Sequence, residues 1–347
     1  MQARQTPIGG IVYNTTMSRP DAALALALLY GIEGKREARV ASIAVTENSL
    51  GAATFVDAVY RFYQLGPLAN ANRVLPIGLA ADKPLPPDSP MVKAAIGRVD
   101  EKGEPVYRTG IRRVSDSAEV TALMRNSLAY FYDGFVTVVL SAPATYLART
   151  LDYAGTRELI QSKVKLLIVS ECKQDVPAMR RVLAEWPTPI AFCGREVGDA
   201  LPYPASSIEQ DFAWAAAHPV VDFYRAYKPM PYDAPAQDLA AVMYAARPDS
   251  GLFQLSGTGS LEVLDDGEMR FSANASGKHK RLVADPANKD KVMAAIRAIV
   301  TAKPVPPPPR RRFTPEEFEK LQKEREEEQK KRDLQDKKLA VPPPAKS

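Results

Sequence analysis

The chain has 347 residues, of which 46% are hydrophobic, and its formal net charge at pH 7 is +5. From Arg310 onward twelve Lys and Arg residues stand against nine Asp and Glu, so most of the excess charge belongs to the tail. The nearly neutral body argues against a nucleic-acid-binding protein, which needs a clustered basic face. No apolar run reaches the roughly 20 residues of a membrane span. No signal peptide is expected in this chain, since no apolar segment follows a basic N-terminus. A cytoplasmic location and secretion after processing both stay open.

Apolar runs alternate with helical patterns from residue 10 onward. The predicted strands are residues 10–13, 40–45, 74–78, 135–140, 165–169 and 189–192, and the predicted helices are residues 21–30, 52–63, 144–154, 176–184, 239–246 and 288–302. Strands that are apolar on both faces and alternate with helices indicate a parallel sheet covered on both sides. The sequence therefore predicts an α/β fold of three layers around a mostly parallel, doubly wound sheet.

Other segments depart from this alternation. Residues 79–117 are rich in Pro, Asp and Lys and predict a long surface excursion. Residues 259–271 predict a β-hairpin, because Asp266-Gly267 is a strong turn signal between two strand-like runs. Cys172 and Cys193 each close an apolar run, and we expect two core thiols rather than a disulfide.

The composition changes near residue 303, where the α/β domain predicted for residues 1–303 ends. Residues 304–313 form a Pro-rich, basic linker. Residues 314–341 predict a solvated, charged single helix with acid-before-base pairs four residues apart, and residues 342–347 end the chain as a tail. The helix is either an exposed element without a partner or a docking arm for a protein partner, and the sequence is also compatible with an oligomer.

The loop after the first predicted strand carries a family resemblance. Residues 12–26 read VYNTTMSRPDAALAL. They resemble the start of the nucleoside hydrolase family, in which a strand precedes a D-x-D turn and a D-D-A-x-A-L helix start. Asn14 and Thr16 stand at the two Asp positions of the turn, and Asp21 begins the helix motif, whose second Asp is replaced by Ala22. A shift of one residue would instead put Asp21 at the second position of that motif.

Later segments resemble the same family in the same order, over about residues 8–300. Residues 43–48 are similar to V-T-x-G-N, with Asn48 kept, and residues 237–242 are similar to H-D-x-x-A-V, with Asp238 kept and Gln237 in place of His. Residues 142–148, 165–171, 175–178 and 192–198 also resemble family segments. A substrate-binding E-x-N segment of the family has no counterpart here.

The resemblance implies hydrolysis of the N-glycosidic bond of a nucleoside at a calcium ion. In the family, Ca²⁺ holds the attacking water and the ribose hydroxyls, a carboxylate takes the proton, and an acid assists the leaving base. The implied metal ligands are Asp21 and Asp238, and the implied contacts to a nucleoside or ribose-like ligand are Asn14, Asn48 and Asp21. The base position holds Thr16, which cannot accept a proton near neutral pH. The acid position holds Gln237, which does not titrate.

Structural roles compete with these functional ones. Asp21 and Asp238 could each be the N-cap of the helix that follows, since Asp is a favoured N-cap residue. Asn48 is at least as well explained as a turn residue. Glu47 and Glu171 follow strands and are either replacement carboxylates of a rebuilt site or solvated rim residues.

Two functions follow from these readings. One is a weakly active or inactive N-ribohydrolase with a degenerate calcium and ribose site. The other is a non-catalytic protein on the same scaffold that binds a sugar, a nucleoside or a partner. Convergence of Asp21, Asp238 and a third carboxylate would separate the two.

Overall fold

A computed structural model describes residues 8–64 and 76–304, and these ranges form an α/β fold around one large sheet. The strands are β1 (Gly10–Thr15), β2 (Arg39–Val45), β3 (Ile77–Leu79), β4 (Val136–Ser141), β5 (Val164–Ser170), β6 (Ile190–Cys193), β7 (Gln254–Leu255), β8 (Gly259–Val263), β9 (Met269–Ala273) and β10 (Lys280–Val283). The helices are α1 (Pro20–Gly34), α2 (Leu50–Gln64), α3 (Pro90–Ile96), α4 (Val120–Ala129), α5 (Thr145–Thr150), α6 (Thr156–Lys163), α7 (Val176–Glu185), α8 (Arg195–Ala200), α9 (Ala205–Gln210), α10 (Pro219–Arg225), α11 (Gln237–Ala246) and α12 (Lys289–Val300). Short 3₁₀ turns cover Val114–Asp116 and Pro286–Asn288.

The main sheet has eight strands in the order β3-β2-β1-β4-β5-β6-β10-β7. Its strand pairs are parallel except β10 with β7, which is antiparallel. The strand order reverses between β1 and β4, and ligand clefts of open α/β sheets lie at the carboxyl ends of the strands at such a reversal. The predicted doubly wound, mostly parallel sheet is confirmed.

Two hydrophobic clusters lie on opposite faces of this sheet. Ile11 and Tyr13 of β1 belong to one cluster, together with residues of α1, α2, α11 and α12, whereas Val12 belongs to the other, together with residues of α4, α5, α6 and α7. Successive side chains of a strand point to opposite faces, so the alternation along β1 divides the two cores. The predicted three layers are therefore present.

Helix α1 is the centre of the larger core. Twelve of its fifteen residues are buried, because it packs against α2, α10, α11 and α12 as well as the sheet. A helix that is apolar on all sides is the kind that becomes enclosed. Its first turn holds Asp21, so the main core fixes the position of this predicted site residue.

Some element boundaries differ from the prediction. The excursion at residues 79–117 contains α3, which Ser89 caps by accepting from the N–H of Val92 at 3.2 Å, with Pro90 as the first helical residue. The helix predicted for residues 144–154 ends at Thr150, and Gly155, with φ of +74°, precedes α6. Strand β10 was not predicted, because its exposed Lys280 and Arg281 break the apolar pattern of a strand.

Several other predictions have clear outcomes. The hairpin at residues 259–271 is formed by β8 and β9, which pair antiparallel outside the main sheet. Both cysteines are free; Cys193 is buried and Cys172 is partly exposed. No helix in the described ranges has the length and apolarity to cross a membrane. Residues 74–75 of the third predicted strand, and the linker and charged helix after Pro304, lie outside the described residues.

A close contact between α1 and α12 gives a stability test. A Cβ atom on Gly31 would lie 2.6 Å from Cγ2 and 2.8 Å from the carbonyl oxygen of Ile299. We expect Gly31→Ala to lower the free energy of unfolding by about 1–3 kcal/mol through overpacking, measured by urea denaturation. Gly34→Ala, in the same helix with nothing within 4 Å of the added atom, is the matched control and should be neutral or stabilising. Equal effects of the two changes would contradict this packing.

Candidate functional site

Three neighbouring strands end around one buried carboxylate. Asp238 lies in the first turn of α11 and has no exposed surface. Tyr13 of β1 donates its hydroxyl to Oδ2 of Asp238 at 2.8 Å, and Ser170 of β5 donates to Oδ1 at 2.7 Å. Strand β4 lies between β1 and β5, and the hydroxyl of its Ser141 is a donor 2.6 Å from each carboxylate oxygen of Asp238. The carboxylate therefore ties the carboxyl ends of β1, β4 and β5 to α11.

The guanidinium of Arg19 joins this carboxylate to that of Asp21. Nη2 of Arg19 lies 3.1 Å from Oδ1 of Asp238 and 3.3 Å from Oδ2 of Asp21, and Nε lies 3.2 Å from Oδ1 of Asp21. Asp21 also accepts from the backbone N–H of Asp238 at 3.2 Å. We call Arg19, Asp21, Asp238 and the three hydroxyl donors Tyr13, Ser141 and Ser170 the Arg19 cluster.

The charges of the cluster perturb one another. Burial and the nearby charge of Asp238 raise the pKa of Asp21 to about 7, although Arg19 opposes the rise. Burial alone would lower the pKa of Arg19, but the charges of Asp238 and Asp21 raise it above its usual value. Arg19 is thus a permanent cation between two carboxyl groups. One of them, Asp21, stays largely protonated up to about pH 7.

Neither Asp21 nor Asp238 caps its own helix. The N-cap residues of α1 and α11 are Arg19 and Ala236, and neither cap has a side-chain hydrogen bond. The capping role considered for the two aspartates is therefore wrong. Asp21 instead receives a backbone N–H at the start of α11, the helix that carries Asp238.

The other predicted site residues are distributed around this cluster. Asn48 donates from Nδ2 to the carbonyl of Thr16 and, at 3.3 Å, to that of Met17, and its Oδ1 accepts from Ser49 N at 2.7 Å, so its amide holds the loop after β1. The hydroxyl of Thr16 pairs with that of Ser18 at 2.7 Å. Nδ2 of Asn14 is buried without a hydrogen-bond partner among the described residues.

Gln237 is held by its amide nitrogen. Nε2 donates to the carbonyl oxygens of Glu171 and Cys193 at 3.0 Å each. Two carbonyl acceptors identify that atom as the nitrogen, and Oε1 accepts no hydrogen bond from the described residues.

Three further groups lie at strand ends near the cluster. Glu47 follows β2 with φ of +55°, a left-handed conformation that is uncommon outside glycine. Glu171 follows β5 and accepts from Arg195 N at 2.6 Å. Burial and the charge of Asp238 raise the pKa of Cys172 to about 12, so its thiol stays neutral and is a poor nucleophile at physiological pH.

A cleft opens beside the cluster, with a cavity of about 360 Å³. Its lining includes Arg19, Asp21, Arg195, Tyr227, Lys228 and Gln237. Pockets for small molecules start at about 300 Å³, so this one has room for a small ligand.

The donor set does not fit calcium. Ca²⁺ requires 6–8 oxygen ligands, and charged carboxylates set its affinity. Both oxygens of Asp238 already accept hydrogen bonds, and those of Asp21 face Arg19 and a backbone N–H. Asp21 and Asp238 do converge, but within the described ranges no third His, Cys, Asp or Glu joins them in a group that could hold a metal.

Sequence reasoning missed the residues that define the site. Arg19, Tyr13, Ser141 and Ser170 were not among the predicted site residues. The available signal was Arg19 itself. It is a cation two residues before Asp21, in a loop where the family pattern has several carboxylates. The hydroxyl donors carried no signal, because Ser and Tyr at strand ends are common.

Comparison with solved structures identifies the architecture. The structure of an inosine-uridine preferring nucleoside hydrolase from Bacillus anthracis matches 85% of this chain and 99% of its own, with a TM-score of 0.58 and 15% identity. An inosine-guanosine nucleoside hydrolase matches 84% of this chain and 98% of its own, with a TM-score of 0.60 and 14% identity. The chain has the nucleoside hydrolase fold. At such low identity the likeness concerns the fold and not the activity.

A third match is an effector protein. The type III effector protein XopQ, in a structure complexed with adenosine diphosphate ribose, matches 88% of this chain and 95% of its own, with a TM-score of 0.54 and 13% identity. No protein-family model and no curated protein sequence matches this chain.

The raised pKa of Asp21 gives a pH-dependent stability prediction. Because its pKa in the folded state, about 7, exceeds its ordinary value of 3.8, its stabilising contribution is complete below pH 3.8 and is lost as the pH rises through 7. Asp21→Asn does not titrate. We therefore expect the variant to gain stability relative to the unmodified protein from pH 4 to 8, by on the order of a few kcal/mol, in urea titrations at a series of pH values.

The control for this prediction is Asp265→Asn, which removes one carboxylate that is 95% exposed. Its stability difference from the unmodified protein should change far less over the same pH range, because solvent screens an exposed charge. Parallel stability curves for Asp21→Asn and the unmodified protein would show that Asp21 has an ordinary pKa in the fold.

Proposed function

We propose that this protein does not hydrolyse N-glycosidic bonds and instead binds a ribose-like small molecule in the cleft without calcium. The observation that carries the proposal is the Arg19 guanidinium between Asp21 and Asp238. These are the two carboxylates that the family resemblance assigns to calcium. A cation is already bound there through the chain's own side chain, so a second one would meet electrostatic repulsion and occupied ligand oxygens.

The acid and base positions support the same conclusion. Thr16 cannot take a proton from water near neutral pH, and its hydroxyl is paired with Ser18. Gln237 does not titrate and is fixed by two backbone carbonyls. Loss of a general base alone costs about 10²–10⁴ in rate. The positions of the general base, the general acid and the metal ligands all lack what hydrolysis requires. The remaining groups therefore favour binding over hydrolysis.

A phosphorylated ligand is the second candidate. The likeness to XopQ, whose structure contains adenosine diphosphate ribose, favours it, and so do Arg195 and Lys228 in the cleft lining. The carboxylates of Asp199 and Asp233 line the same cleft, however, and offset those two charges. We therefore place an uncharged ribose compound first. A partner-binding role for the charged helix predicted at residues 314–341 stays a prediction.

The first test measures calcium and turnover on the full chain. We expect no calcium binding by calorimetry at millimolar calcium and no change in the melting temperature with calcium or a chelator. We also expect no release of hypoxanthine from inosine or of uracil from uridine above the uncatalysed rate. The Bacillus anthracis nucleoside hydrolase serves as the positive control for the release assay.

Two outcomes would overturn this proposal. One is millimolar or tighter calcium binding that Asp238→Asn abolishes while the unrelated Asp265→Asn leaves it unchanged. The other is nucleobase release that follows the protein concentration and is lost in Asp238→Asn. Circular dichroism of both variants separates loss of the site from loss of the fold.

A further inference from the structure

The end of α12 is held by two aromatic side chains. The hydroxyl of Tyr63 donates to the carbonyl oxygen of Val300 at 3.3 Å, and Nε1 of Trp214 donates to that of Thr301 at 2.9 Å. The last carbonyls of a helix have no partner within the helix, so such donors stabilise its end. Tyr63 belongs to α2, and Trp214 lies between α9 and α10. Two separate parts of the fold therefore fix the point at which α12 ends.

His218 contacts both of these side chains and is enclosed by aromatic rings. It is 2% exposed. The centroid of its ring lies 4.6 Å from that of Phe62, 4.7 Å from that of Phe212, and 5.7 Å from those of Tyr63 and Trp214. All four rings are steeply inclined to the imidazole. The imidazole is therefore in an uncharged, apolar enclosure.

The hydrogen bonds indicate where the imidazole carries its proton. Nε2 of His218 lies 3.1 Å from the hydroxyl oxygen of Tyr63. That hydroxyl has a single hydrogen, which it gives to Val300, so its oxygen accepts from Nε2–H. Nδ1 then carries no hydrogen, and it is buried with no partner among the described residues. Protonation would add an N–H at Nδ1 for which the same residues supply no acceptor.

The enclosure disfavours the protonated form of His218. Burial lowers the pKa of its imidazole from 6.5 to about 3. Aromatic rings attract a cation, but this attraction is small beside the cost of removing an imidazolium from water. A charged His218 is therefore compatible only with an open arrangement in which water reaches the ring.

The other ionisable groups around His218 do not share this sensitivity to acid. Burial raises the pKa of Tyr63 well above 10, so its hydroxyl stays neutral. Burial also raises the pKa of Asp211, but hydrogen bonds from Ser207 and Arg297 outweigh it and lower that pKa below 3.8. The ion pair between Asp211 and Arg297 of α12 therefore stays charged at pH 4.5. The charged pairs on the surrounding elements are Arg61 with Asp57, Asp222 with Arg98, and Arg297 with Asp211, at 2.8, 2.8 and 2.7 Å.

We propose that His218, Tyr63 and Trp214 form an acid-sensitive latch that holds the end of α12. In the closed state the neutral imidazole donates to Tyr63, and Tyr63 holds Val300. A proton taken up from water at Nδ1 stabilises an open state, in which the last turn of α12 leaves the enclosure. Opening exposes Ile299 and Val300, which are buried in the closed state. This inference goes beyond the proposed function and requires no ligand in the cleft.

The two pKa values of His218 set the direction of the effect. Because its pKa in the closed state, about 3, is lower than its ordinary value of 6.5, its stabilising contribution is complete above pH 6.5 and is lost as the pH falls toward 3. The equilibrium constant for opening should therefore rise about tenfold for each pH unit below 6.5. Asp21 titrates near the same range with the opposite sign, since its protonation stabilises the fold.

The test is hydrogen–deuterium exchange of the full chain at a series of pH values, with each rate corrected for the intrinsic exchange rate at that pH. Between pH 7.5 and 4.5 we expect the amides of residues 297–301 to lose protection about a hundredfold. The amides of β4, which is buried along its whole length, are the internal reference and should change far less.

The variant that tests the latch is His218→Phe, which keeps an aromatic ring in the enclosure but cannot be protonated. Its protection at residues 297–301 should change no more than that of β4. The matched control is His279→Phe, at the other histidine of the chain, which is also buried and pairs with Gly259 of β8. This control should keep the hundredfold loss at residues 297–301.

Three results would overturn the inference. Unchanged protection at residues 297–301 would exclude an acid-sensitive contact, and an equal loss in His218→Phe would assign the sensitivity to another group. An equal loss in β4 would show that acid unfolds the whole domain. If His218→Phe does not fold, as judged by circular dichroism, the pH profile of the unmodified protein decides. A loss that begins near pH 6.5 supports the latch, whereas one that begins near pH 4, where carboxyl groups titrate, refutes it.

Discussion

The pairing of one guanidinium with two buried carboxyl groups is the constraint on which the site depends. A buried carboxylate without a partner is unfavourable by several kcal/mol. Burial and, after it, the charge of Asp238 raise the pKa of Asp21, so a cation at this point of the strand ends is favourable. Here the cation is Arg19, delivered by the loop between β1 and α1. The same loop therefore decides both the stability of the strand ends and the chemistry open to the cleft.

A guanidinium and a calcium ion satisfy the same carboxylates but give different chemistry. A calcium ion can bind a water molecule and make it a nucleophile, whereas a guanidinium only donates hydrogen bonds and stays protonated. Arg19 therefore cannot activate a water molecule as a calcium ion can. The hydroxyls of Tyr13, Ser141 and Ser170 complete the coordination of Asp238, which leaves that carboxylate no free oxygen for a proton-transfer role.

The sequence predicted the layered fold well because that information is local and repeated. Apolar runs such as residues 136–141 and the Ala/Leu helix α1 are buried on every side, and such segments are recognisable from composition alone. Elements that depend on tertiary contacts were missed: β10 joins the sheet by pairing with β6 and β7 despite its exposed basic residues. The charged segment at residues 314–341 lies outside the described residues, and its helix stays a prediction.

The site was predicted only in part, and the reason is geometric. Asp21 and Asp238, the two predicted metal ligands, lie close together in the structure, and their role as ligands stays a prediction. The motif could not reveal that a cation two residues before Asp21 folds back between them, because that contact depends on the path of the loop.

Asn48 helps to set this path by holding the carbonyls of Thr16 and Met17. The motif implies that Asn48 contacts a ligand. In the structure its amide holds the loop that carries Arg19. Asn14 and Thr16 bring no carboxylate to this place, and Arg19 pairs with the two aspartates that converge there.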